Sequence, residues 1–293
     1  MTLPNFYIIG ANKAGTTSLY YYLDQHPDIF MCWPKEPMFF MAEDINDDIR
    51  NRPDAQHLKI FVGNFKDYSA LFDKVSDERA IGEASTGYLP NYNVPQRIKK
   101  YTPEAKFIAI LRNPVDRAYS AYTYALALGI EPLNNFSQAI EEAQSNNWRH
   151  YVKLGLYCRQ LLKYYETFNK NQIRIYLYDD LRSDPLSLVK SIFQFLEVDD
   201  SFIPDISKEH NVTLIPKNKM MHLLLTKLTA ISTNIEPMIP INVSGLFNKM
   251  INLNLTKPPK LDIQTRKDLI EVYREDILKL QDLLQRDLTS WLD

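Results

Sequence analysis

Cysteine, net positive charge and long apolar runs are all scarce in this chain of 293 residues. Cys32 and Cys158 are the only cysteines, so no disulfide framework is visible, which suits a reducing compartment. The formal net charge of −2 argues against nucleic acid as a partner, and any anion site must be local. No run of about 18 apolar residues occurs, so no membrane span is expected. Residues 1–5 lead directly into an apolar run without a secretory signal, and we expect a soluble, cytoplasmic protein.

Glycine is scarce too, but short apolar runs are frequent and alternate with helical patterns. Runs bounded by charged or turn residues predict strands at 6–9, 29–31, 80–84, 107–111 and 173–178. Helical patterns follow at 17–25, from Pro114 onward and at 185–196. Strands that alternate with helices indicate an α/β fold with a central parallel sheet and helices on both of its faces.

The last third of the sequence has a different character. Residues 216–258 are rich in Met, Leu, Asn and Pro and contain no clear strand. A helix is predicted over 220–231, and Pro237 and Pro240 would stop it from continuing. We interpret 216–258 as a helical lid over an acceptor site, within a single domain that spans residues 1–293. Residues 262–291 have the apolar periodicity of a long helix.

The segment from Gly10 to Ser18 lies between the first predicted strand and the first predicted helix. Only eight glycines occur in the chain, and Gly10 and Gly15 flank this loop. A glycine loop that opens a helix favours phosphate, because backbone N–H groups and the helix dipole face the ligand. The spacing of the two glycines fits a nucleotide P-loop, but Thr16 stands where that loop has lysine, and the lysine is inside the loop as Lys13. The alternative is a plain strand–helix turn with a solvent-facing lysine.

The run Lys-Ala-Gly-Thr-Thr-Ser-Leu that begins at Lys13 resembles the 5′-phosphosulfate loop of sulfotransferases that use 3′-phosphoadenosine 5′-phosphosulfate (PAPS). The resemblance implies a P-loop-like sulfotransferase fold, PAPS as donor and 3′-phosphoadenosine 5′-phosphate (PAP) as product. It also implies a set of residues that hold the 5′-phosphosulfate: Lys13, Ala14, Gly15, Thr16, Thr17 and Ser18.

A second loop follows the strand at 107–111. Arg112 ends this strand, and Ser120 lies eight residues further on, on the next predicted helix. This arrangement resembles the 3′-phosphate element of the same family, in which arginine gives a forked contact and serine a hydroxyl. Two roles are open for Arg117: an ion pair with Asp116 or another acid, or contact with the ligand.

The resemblance extends over most of the chain and is weakest at 41–80 and 216–258. Gly155-Leu-Tyr157 and the run from Tyr178 to Pro185 resemble a helix start and a strand end of these enzymes. For Tyr157, a contact with the cofactor and a purely packing role are both open.

The segment from Trp33 to Phe40 resembles the Lys-Glu-x-His-Phe-Phe segment of heparan-sulfate-type and related bacterial sulfotransferases. In those enzymes the glutamate is the proposed base, and Glu36 occupies its position. A carboxylate within hydrogen-bond reach can remove the proton of an attacking alcohol. Met38 replaces the family histidine, which puts assistance by histidine in doubt. Lys35 can pair with Glu36 or hold the sulfate. The alternative for Glu36 is a solvated loop carboxylate.

These patterns together predict a sulfotransferase that acts by in-line displacement on a hydroxyl of a small-molecule or carbohydrate acceptor, an O-sulfation suited to secondary metabolism. No metal is expected, because no His/Cys/Asp cluster has ligand spacing and lysines with backbone donors can stabilise sulfuryl transfer. The identity of the acceptor, the choice between O- and N-sulfation and the oligomeric state stay open. The rival hypotheses are a P-loop-type small-molecule kinase, against which Thr16 argues, and a non-catalytic nucleotide-binding protein. Six tyrosines are candidates for the acceptor pocket: Tyr20, Tyr21, Tyr22, Tyr119, Tyr122 and Tyr124.

Overall fold

A five-stranded parallel sheet forms the centre of the fold. The computed structural model describes residues 2–44, 62–145, 150–207, 214–235 and 243–293. The strand order is β2-β3-β1-β4-β5, and each neighbouring pair runs parallel. The strands are β1 (Phe6–Gly10), β2 (Ile29–Met31), β3 (Ala80–Ala84), β4 (Lys106–Leu111) and β5 (Ile173–Leu177). All five predicted strands are therefore confirmed.

Strand β1 and all of β4 after Lys106 are apolar because both faces of the sheet are covered. Every residue of β1 is buried, as are the last five residues of β4. Successive side chains of a strand point to opposite faces, so this burial requires helices on both sides. The edge strand β5 differs, because Arg174 is exposed there.

Eleven helices lie in the described part of the chain. They are α1 (Thr16–Leu23), α2 (Phe65–Ala70), α3 (Val94–Tyr101), α4 (Pro114–Ala127), α5 (Phe136–Ser145), α6 (Tyr157–Thr167), α7 (Tyr178–Ser183), α8 (Pro185–Leu196), α9 (Lys219–Ile235), α10 (Val243–Leu253) and α11 (Ile263–Leu284). Short 3₁₀ segments cover Phe39–Asp44, Lys153–Gly155, Lys170–Gln172 and Thr289–Leu292. Helix α1 packs against α8, and α6 packs against α3 and α11.

The start of α4 follows the prediction closely. The side chain of Asn113 caps the helix by accepting the N–H groups of Val115 and Asp116, at 2.9 and 3.4 Å. Pro114 occupies the first helical position, where its missing N–H costs nothing. The short helix α7 was not predicted, and it begins at Tyr178, which the sequence analysis assigned to the preceding strand.

The region 216–258 is helical as expected, with one addition. Helices α9 and α10 pack against each other, and α9 extends the predicted 220–231 helix at both ends. Pro237 and Pro240 lie outside the described residues. The two-residue strands β6 (Ile215–Pro216) and β7 (Leu255–Thr256) were not predicted, and they pair antiparallel at the base of this helical pair. The backbone N–H of Lys217 donates to the carbonyl of Asn254 at 2.7 Å and extends the pairing.

The C-terminal helix ends earlier than its periodicity indicates. Helix α11 stops at Leu284, and Gln285 takes a left-handed conformation with φ of 51° before the last 3₁₀ turn. Trp291 of that turn is buried. Within the described ranges, no helix has both the length and the apolar character that a bilayer crossing needs.

Candidate functional site

A cavity of about 580 Å³ opens at the carboxyl ends of the sheet strands. This is the edge where open α/β sheets bind ligands, because the loops that follow parallel strands meet there. The first predicted loop contributes Lys13, Gly15, Thr16, Thr17 and Ser18 to its wall. The other predicted donor-binding and catalytic residues on the wall are Glu36, Arg112 and Ser120. The fold therefore brings three separate sequence segments to one cavity.

Gly15 ends the first loop, and its backbone requires glycine for two reasons. Its φ of 87° lies in the left-handed region, where a Cβ atom is disfavoured. A Cβ atom built there would also lie 2.7 Å from Leu181 Cδ2 and 3.2 Å from the ring of Tyr178. Gly15 occupies the N-cap position of α1. No side chain caps the start of α1, and the first turn of a helix is where backbone N–H groups bind ligands that accept hydrogen bonds.

Lys13 reaches across the cavity and covers an aromatic ring. Its Nζ atom lies 3.9 Å from the centre of the Tyr124 ring. Burial, and secondly the charge of Arg112, lower the pKa of Lys13 to about 8. An ammonium group with a depressed pKa has lost hydration without gaining a full counter-charge, and an anionic ligand would supply that charge.

Arg112 joins the two predicted loops. Its Nη1 atom donates to the backbone carbonyl of Lys13 at 3.2 Å, and its guanidinium carbon lies 4.8 Å from the centre of the Tyr178 ring. The backbone carbonyl of Arg112 accepts the hydroxyl of Tyr157 at 3.0 Å. Two cationic side chains, on Lys13 and Arg112, therefore face the cavity from neighbouring strand ends.

Two of the predicted donor-binding residues lie behind the wall of this cavity. Ala14 is fully buried, and its N–H donates to the carbonyl of Ala11 at 3.2 Å. Tyr157 is 1% exposed, and its hydroxyl is engaged with Arg112. Neither Ala14 nor Tyr157 therefore lines the cavity, because both side chains are buried.

Arg117 takes neither of the two roles considered for it, an ion pair with an acid or contact with the ligand. The side chain is fully buried and donates from Nη2 to the carbonyl of Tyr151. Asp116 pairs instead with Arg266 on α11, a residue 150 positions away in the chain. The helical position of Arg117 turns it into the interior, toward Tyr157 and Tyr273.

Glu36 presents a fixed carboxylate to the same cavity. Oε1 pairs with Lys35 Nζ at 2.8 Å, and Oε2 accepts the hydroxyl of Thr86 at 3.0 Å. The backbone N–H of Glu36 donates to the carbonyl of Ala84 at 2.9 Å. With 26% of its side chain exposed, Glu36 is not a freely solvated loop residue. Of the two roles considered for Lys35, the ion pair with Glu36 is the one observed.

A second carboxylate, on Glu83, lies behind this segment and was missed in the sequence. Glu83 is fully buried, accepts the hydroxyl of Ser85 at 2.6 Å and also accepts the hydroxyl of Tyr68. Burial raises the pKa of Glu83 to about 7, although the hydroxyls of Ser85, Tyr68 and Tyr88 oppose the shift. The available signal was a single acidic residue inside a run predicted to be a buried strand.

Of the six candidate tyrosines, three line the cavity: Tyr22, Tyr119 and Tyr124. Tyr20 is instead buried and donates to the carbonyl of Cys32 at 2.9 Å. In the part of the chain that the structure describes, no group of three or more His, Cys, Asp or Glu side chains could hold a metal ion.

Comparison with known proteins agrees with this geometry. The model of the sulfotransferase domain matches residues 3–249, which is most of the chain. The chain belongs to the sulfotransferase family. The match includes the first loop, the Glu36 segment and the Arg112 loop, so the three segments that meet at the cavity all lie within the family domain.

Individual relatives of this sulfotransferase chain are distant. It is 34% identical over 126 residues to the membrane-associated sulfotransferase kil1 of Dictyostelium discoideum, covering 43% of this chain and 24% of that protein. It is 26% identical over 303 residues to the mouse bifunctional heparan sulfate N-deacetylase/N-sulfotransferase 4, covering 99% of this chain and 31% of that protein. The chain thus spans a third or less of the length of these two relatives.

A solved structure resembles the whole sulfotransferase chain. The crystal structure of a sulfotransferase from Alicyclobacillus acidocaldarius superposes with a TM-score of 0.79 at 28% sequence identity, and the match covers 100% of both chains. The predicted fold class, a parallel sheet flanked by helices in a P-loop-like sulfotransferase arrangement, is confirmed.

Proposed function

We propose that this chain transfers the sulfuryl group of PAPS to a hydroxyl of a small-molecule or carbohydrate acceptor and releases PAP. The observation that carries the proposal is the placement of Lys13 and Arg112 on the same cavity as the fixed carboxylate of Glu36. Two cations suit a donor with two phosphate groups, and one carboxylate suits an acceptor that must lose a proton.

The donor half of the cavity has the chemistry of an anion site. The first turn of α1 offers N–H groups, and Thr16, Thr17 and Ser18 offer hydroxyls for the 5′-phosphate. Arg112 and Ser120 would hold the 3′-phosphate, the group that distinguishes PAPS from ATP. The depressed pKa of Lys13 supports this assignment, since an anionic ligand would relieve it. Tyr157 would then act through the backbone of Arg112, and Ala14 through the shape of the loop.

The acceptor half centres on Glu36. In the proposed step Glu36 removes the hydroxyl proton, the acceptor oxygen forms a bond to sulfur, and the bond from sulfur to the 5′-phosphate oxygen breaks. Lys13 stabilises the negative charge that develops on that leaving oxygen. Lys35 and Thr86 orient the carboxylate of Glu36. Because Met38 stands in place of the family histidine, proton removal rests on Glu36 alone in this proposal.

The class of acceptor, the metal requirement and the location complete the proposal. The relative whose name includes heparan sulfate favours a carbohydrate acceptor, although its name specifies N-sulfation. Metal-independent transfer is proposed because Lys13, Arg112 and backbone donors supply the positive charge. A cytoplasmic location is proposed because Cys32 and Cys158 are both free thiols, which suits a reducing compartment.

The two rival functions lack a supporting observation. A P-loop kinase needs a lysine directly after Gly15, and Thr16 at that position begins α1. A non-catalytic nucleotide-binding protein has no need of a carboxylate held by two partners on the cavity wall, as Glu36 is.

Calorimetric titration with PAP, ATP and adenosine 5′-phosphosulfate in the presence of a chelator tests the donor site. We expect micromolar binding of PAP that requires the 3′-phosphate, and a loss of at least about tenfold in Arg112→Ala, as for a charged hydrogen bond. Arg274→Ala, which removes an exposed arginine paired with Glu271, is the matched control and should bind PAP normally. A preference for ATP, or no binding of any of the three nucleotides, would contradict the proposal.

Release of PAP from PAPS, measured with panels of sugar, amino-sugar and phenolic acceptors, tests the chemistry. Glu36→Gln should lower turnover by about 10²-fold or more while the affinity for PAP stays within about twofold, because only proton removal is lost. If Glu36→Gln retained full turnover, the assignment of Glu36 as base would be wrong, whatever the donor.

A further inference from the structure

Residues 214–260, which we call the basic hairpin, have a positive net charge, whereas the rest of the chain has a negative one. The segment contains six lysines and one acidic residue, Glu236, whereas the remainder contains 28 basic and 35 acidic residues. The basic hairpin comprises β6, α9, α10 and β7 with the residues around them. Among its described lysines, Lys217, Lys227, Lys249, Lys257 and Lys260 are exposed. A local cationic surface therefore lies on a protein whose net charge is negative.

The solvent-facing side of α9 is apolar rather than polar. Met220 is 83% exposed, Leu224 59% and Leu223 47%. These three residues and Lys227 follow the spacing i, i+3, i+4 and i+7, which places them on one face of the helix. Leu225, on another face, is 4% exposed. The helix thus has an apolar side toward solvent in addition to its packed side.

Helix α10 repeats the same arrangement. Leu246, Met250 and Leu253 are 58%, 41% and 76% exposed, and Lys249 completes the i, i+3, i+4, i+7 set. Single exposed apolar residues are ordinary on protein surfaces, but apolar outer faces on two helices that pack against each other are typical of an interaction site. Each of the two apolar faces contains one lysine, Lys227 on α9 and Lys249 on α10.

We propose that the basic hairpin docks on an anionic lipid surface. Apolar side chains on an outer helix face, flanked by lysines, have the chemistry of a helix that lies in the plane of a membrane interface. The apolar groups would enter the boundary between headgroups and acyl chains, and the lysines would pair with anionic headgroups. The charge complementarity favours acidic lipids over neutral ones, and the exposed apolar residues favour a lipid surface over a purely polar polyanion.

The position of the hairpin connects this surface with the candidate site. A second cavity, of about 850 Å³, is bounded by Lys217 and Met220 of the hairpin and by Tyr119 and Thr123 of α4. Tyr119 and Thr123 also line the first cavity. A lipid surface docked on the hairpin would therefore lie beside a cavity that shares a wall with the proposed donor site.

Sedimentation with vesicles tests the proposal on the full chain. The two preparations are phosphatidylcholine alone and phosphatidylcholine with about 30 mol% phosphatidylglycerol, each at about 0.1 M and about 0.5 M salt. We expect at least about tenfold stronger partition to the anionic vesicles at low salt, and a decrease at high salt. Replacement of Lys227, Lys249 and Lys257, all exposed, by glutamine should weaken partition by about fivefold for each lysine.

Apolar variants separate lipid docking from simple charge attraction. Leu224→Gln combined with Leu253→Gln should weaken partition by at least about tenfold, since each change removes an apolar side chain that would enter the lipid. Ile203→Gln, a residue 75% exposed outside the hairpin, is the matched control and should partition like the wild type. Unchanged thermal unfolding and unchanged calorimetric binding of PAP would verify that the variants are folded.

Three outcomes would overturn the proposal. The first is equal or no partition to the two kinds of vesicle, and the second is wild-type partition of the Leu224/Leu253 variant. The third is binding to soluble dextran sulfate without binding to vesicles, which would assign the hairpin to a polyanionic chain. The proposal does not depend on sulfuryl transfer, because vesicle binding needs neither donor nor acceptor.

Discussion

The hydroxyl of Ser85 accepts the backbone N–H of Met38 at 3.1 Å, and so ties the segment that carries Glu36 to the end of β3. The carbonyl of Ala84 accepts the N–H of Glu36 at 2.9 Å in the same region. Glu36 and Met38 have φ values of 63° and 53°, which are costly for residues with side chains. Hydrogen bonds from the strand end therefore stabilise a backbone that local preference would not adopt.

Ser85→Ala should impair catalysis more than donor binding. The change leaves the N–H of Met38 and one oxygen of Glu83 without this buried partner, so the Glu36 segment loses part of its anchor. We expect turnover, measured as PAP release, to fall by about tenfold, while calorimetric affinity for PAP stays within about twofold. Ser69→Ala, at a half-buried serine on α2 whose hydroxyl donates to the carbonyl of Lys66, is the control. Equal losses in turnover and PAP affinity would contradict a positioning role.

Glu83 should make stability depend on pH in the opposite direction to a salt-bridged acid. Burial raises its pKa from 4.5 to about 7 in the folded chain, so the folded state binds this proton more tightly than the unfolded state. The resulting stabilisation is fully present below pH 4.5 and is lost as the pH rises to 7. Relative to Glu83→Gln, the wild type should lose about 3 kcal/mol of unfolding free energy across that window.

Urea unfolding of both proteins at pH 5, 6, 7 and 8 gives this difference. The quantity compared is the change of unfolding free energy with pH in each protein. A constant effect of the amide in Glu83→Gln, such as a lost hydrogen bond, does not alter this change. Glu166→Gln removes an exposed carboxylate paired with Lys163 and should follow the wild type within about 0.5 kcal/mol at each pH. A Glu83→Gln difference that does not change with pH would mean that Glu83 is ionised throughout in the folded protein.

Lys13 should make the affinity for PAP fall in mild alkali. Its pKa of about 8 in the ligand-free protein means that most of its charge is gone at pH 9. If the charged form binds the 5′-phosphate, affinity should fall by about tenfold between pH 7 and pH 9. The phosphate itself is fully ionised above pH 8 and does not contribute.

Lys13→Arg supplies the matched comparison for this titration, because guanidinium keeps its charge throughout the range. Its PAP affinity should be flat from pH 7 to pH 9, whatever its absolute value. A wild-type affinity that is equally flat would indicate that Lys13 does not contact the bound nucleotide.

Tyr157→Phe distinguishes a supporting role from direct contact with the donor. The hydroxyl donates to the carbonyl of Arg112, and its loss should cost about 1 kcal/mol of unfolding free energy. PAP affinity should change by less than about threefold. Tyr164→Phe is a matched control, since its buried hydroxyl donates to the carbonyl of Tyr88, also at 3.0 Å. A loss of PAP affinity above about tenfold in Tyr157→Phe, without a similar loss in Tyr164→Phe, would indicate that Tyr157 contacts the donor directly.

The sequence by itself determined the strands and the position of the two loops that we propose to bind phosphate. Apolar runs predict buried strands, and the resemblance to the sulfotransferase family implies that Lys13 and Arg112 hold the same donor. Gly15 was informative for a local reason, because its left-handed backbone and close contact with Leu181 exclude other residues. Adjacent residues and the periodicity of apolar residues in the sequence determine these features.

The tertiary structure decided which polar side chains are buried and what they contact. The contact between Asp116 and Arg266 spans 150 positions, and the contact between Thr86 and Glu36 spans 50. The burial of Arg117, the cluster around Glu83 and the pairing of β6 with β7 likewise depend on segments that meet only after folding. No local pattern encodes such contacts, because a hydrogen bond or an ion pair depends on distance in space, whereas sequence periodicity reports only which face of an element is turned inward.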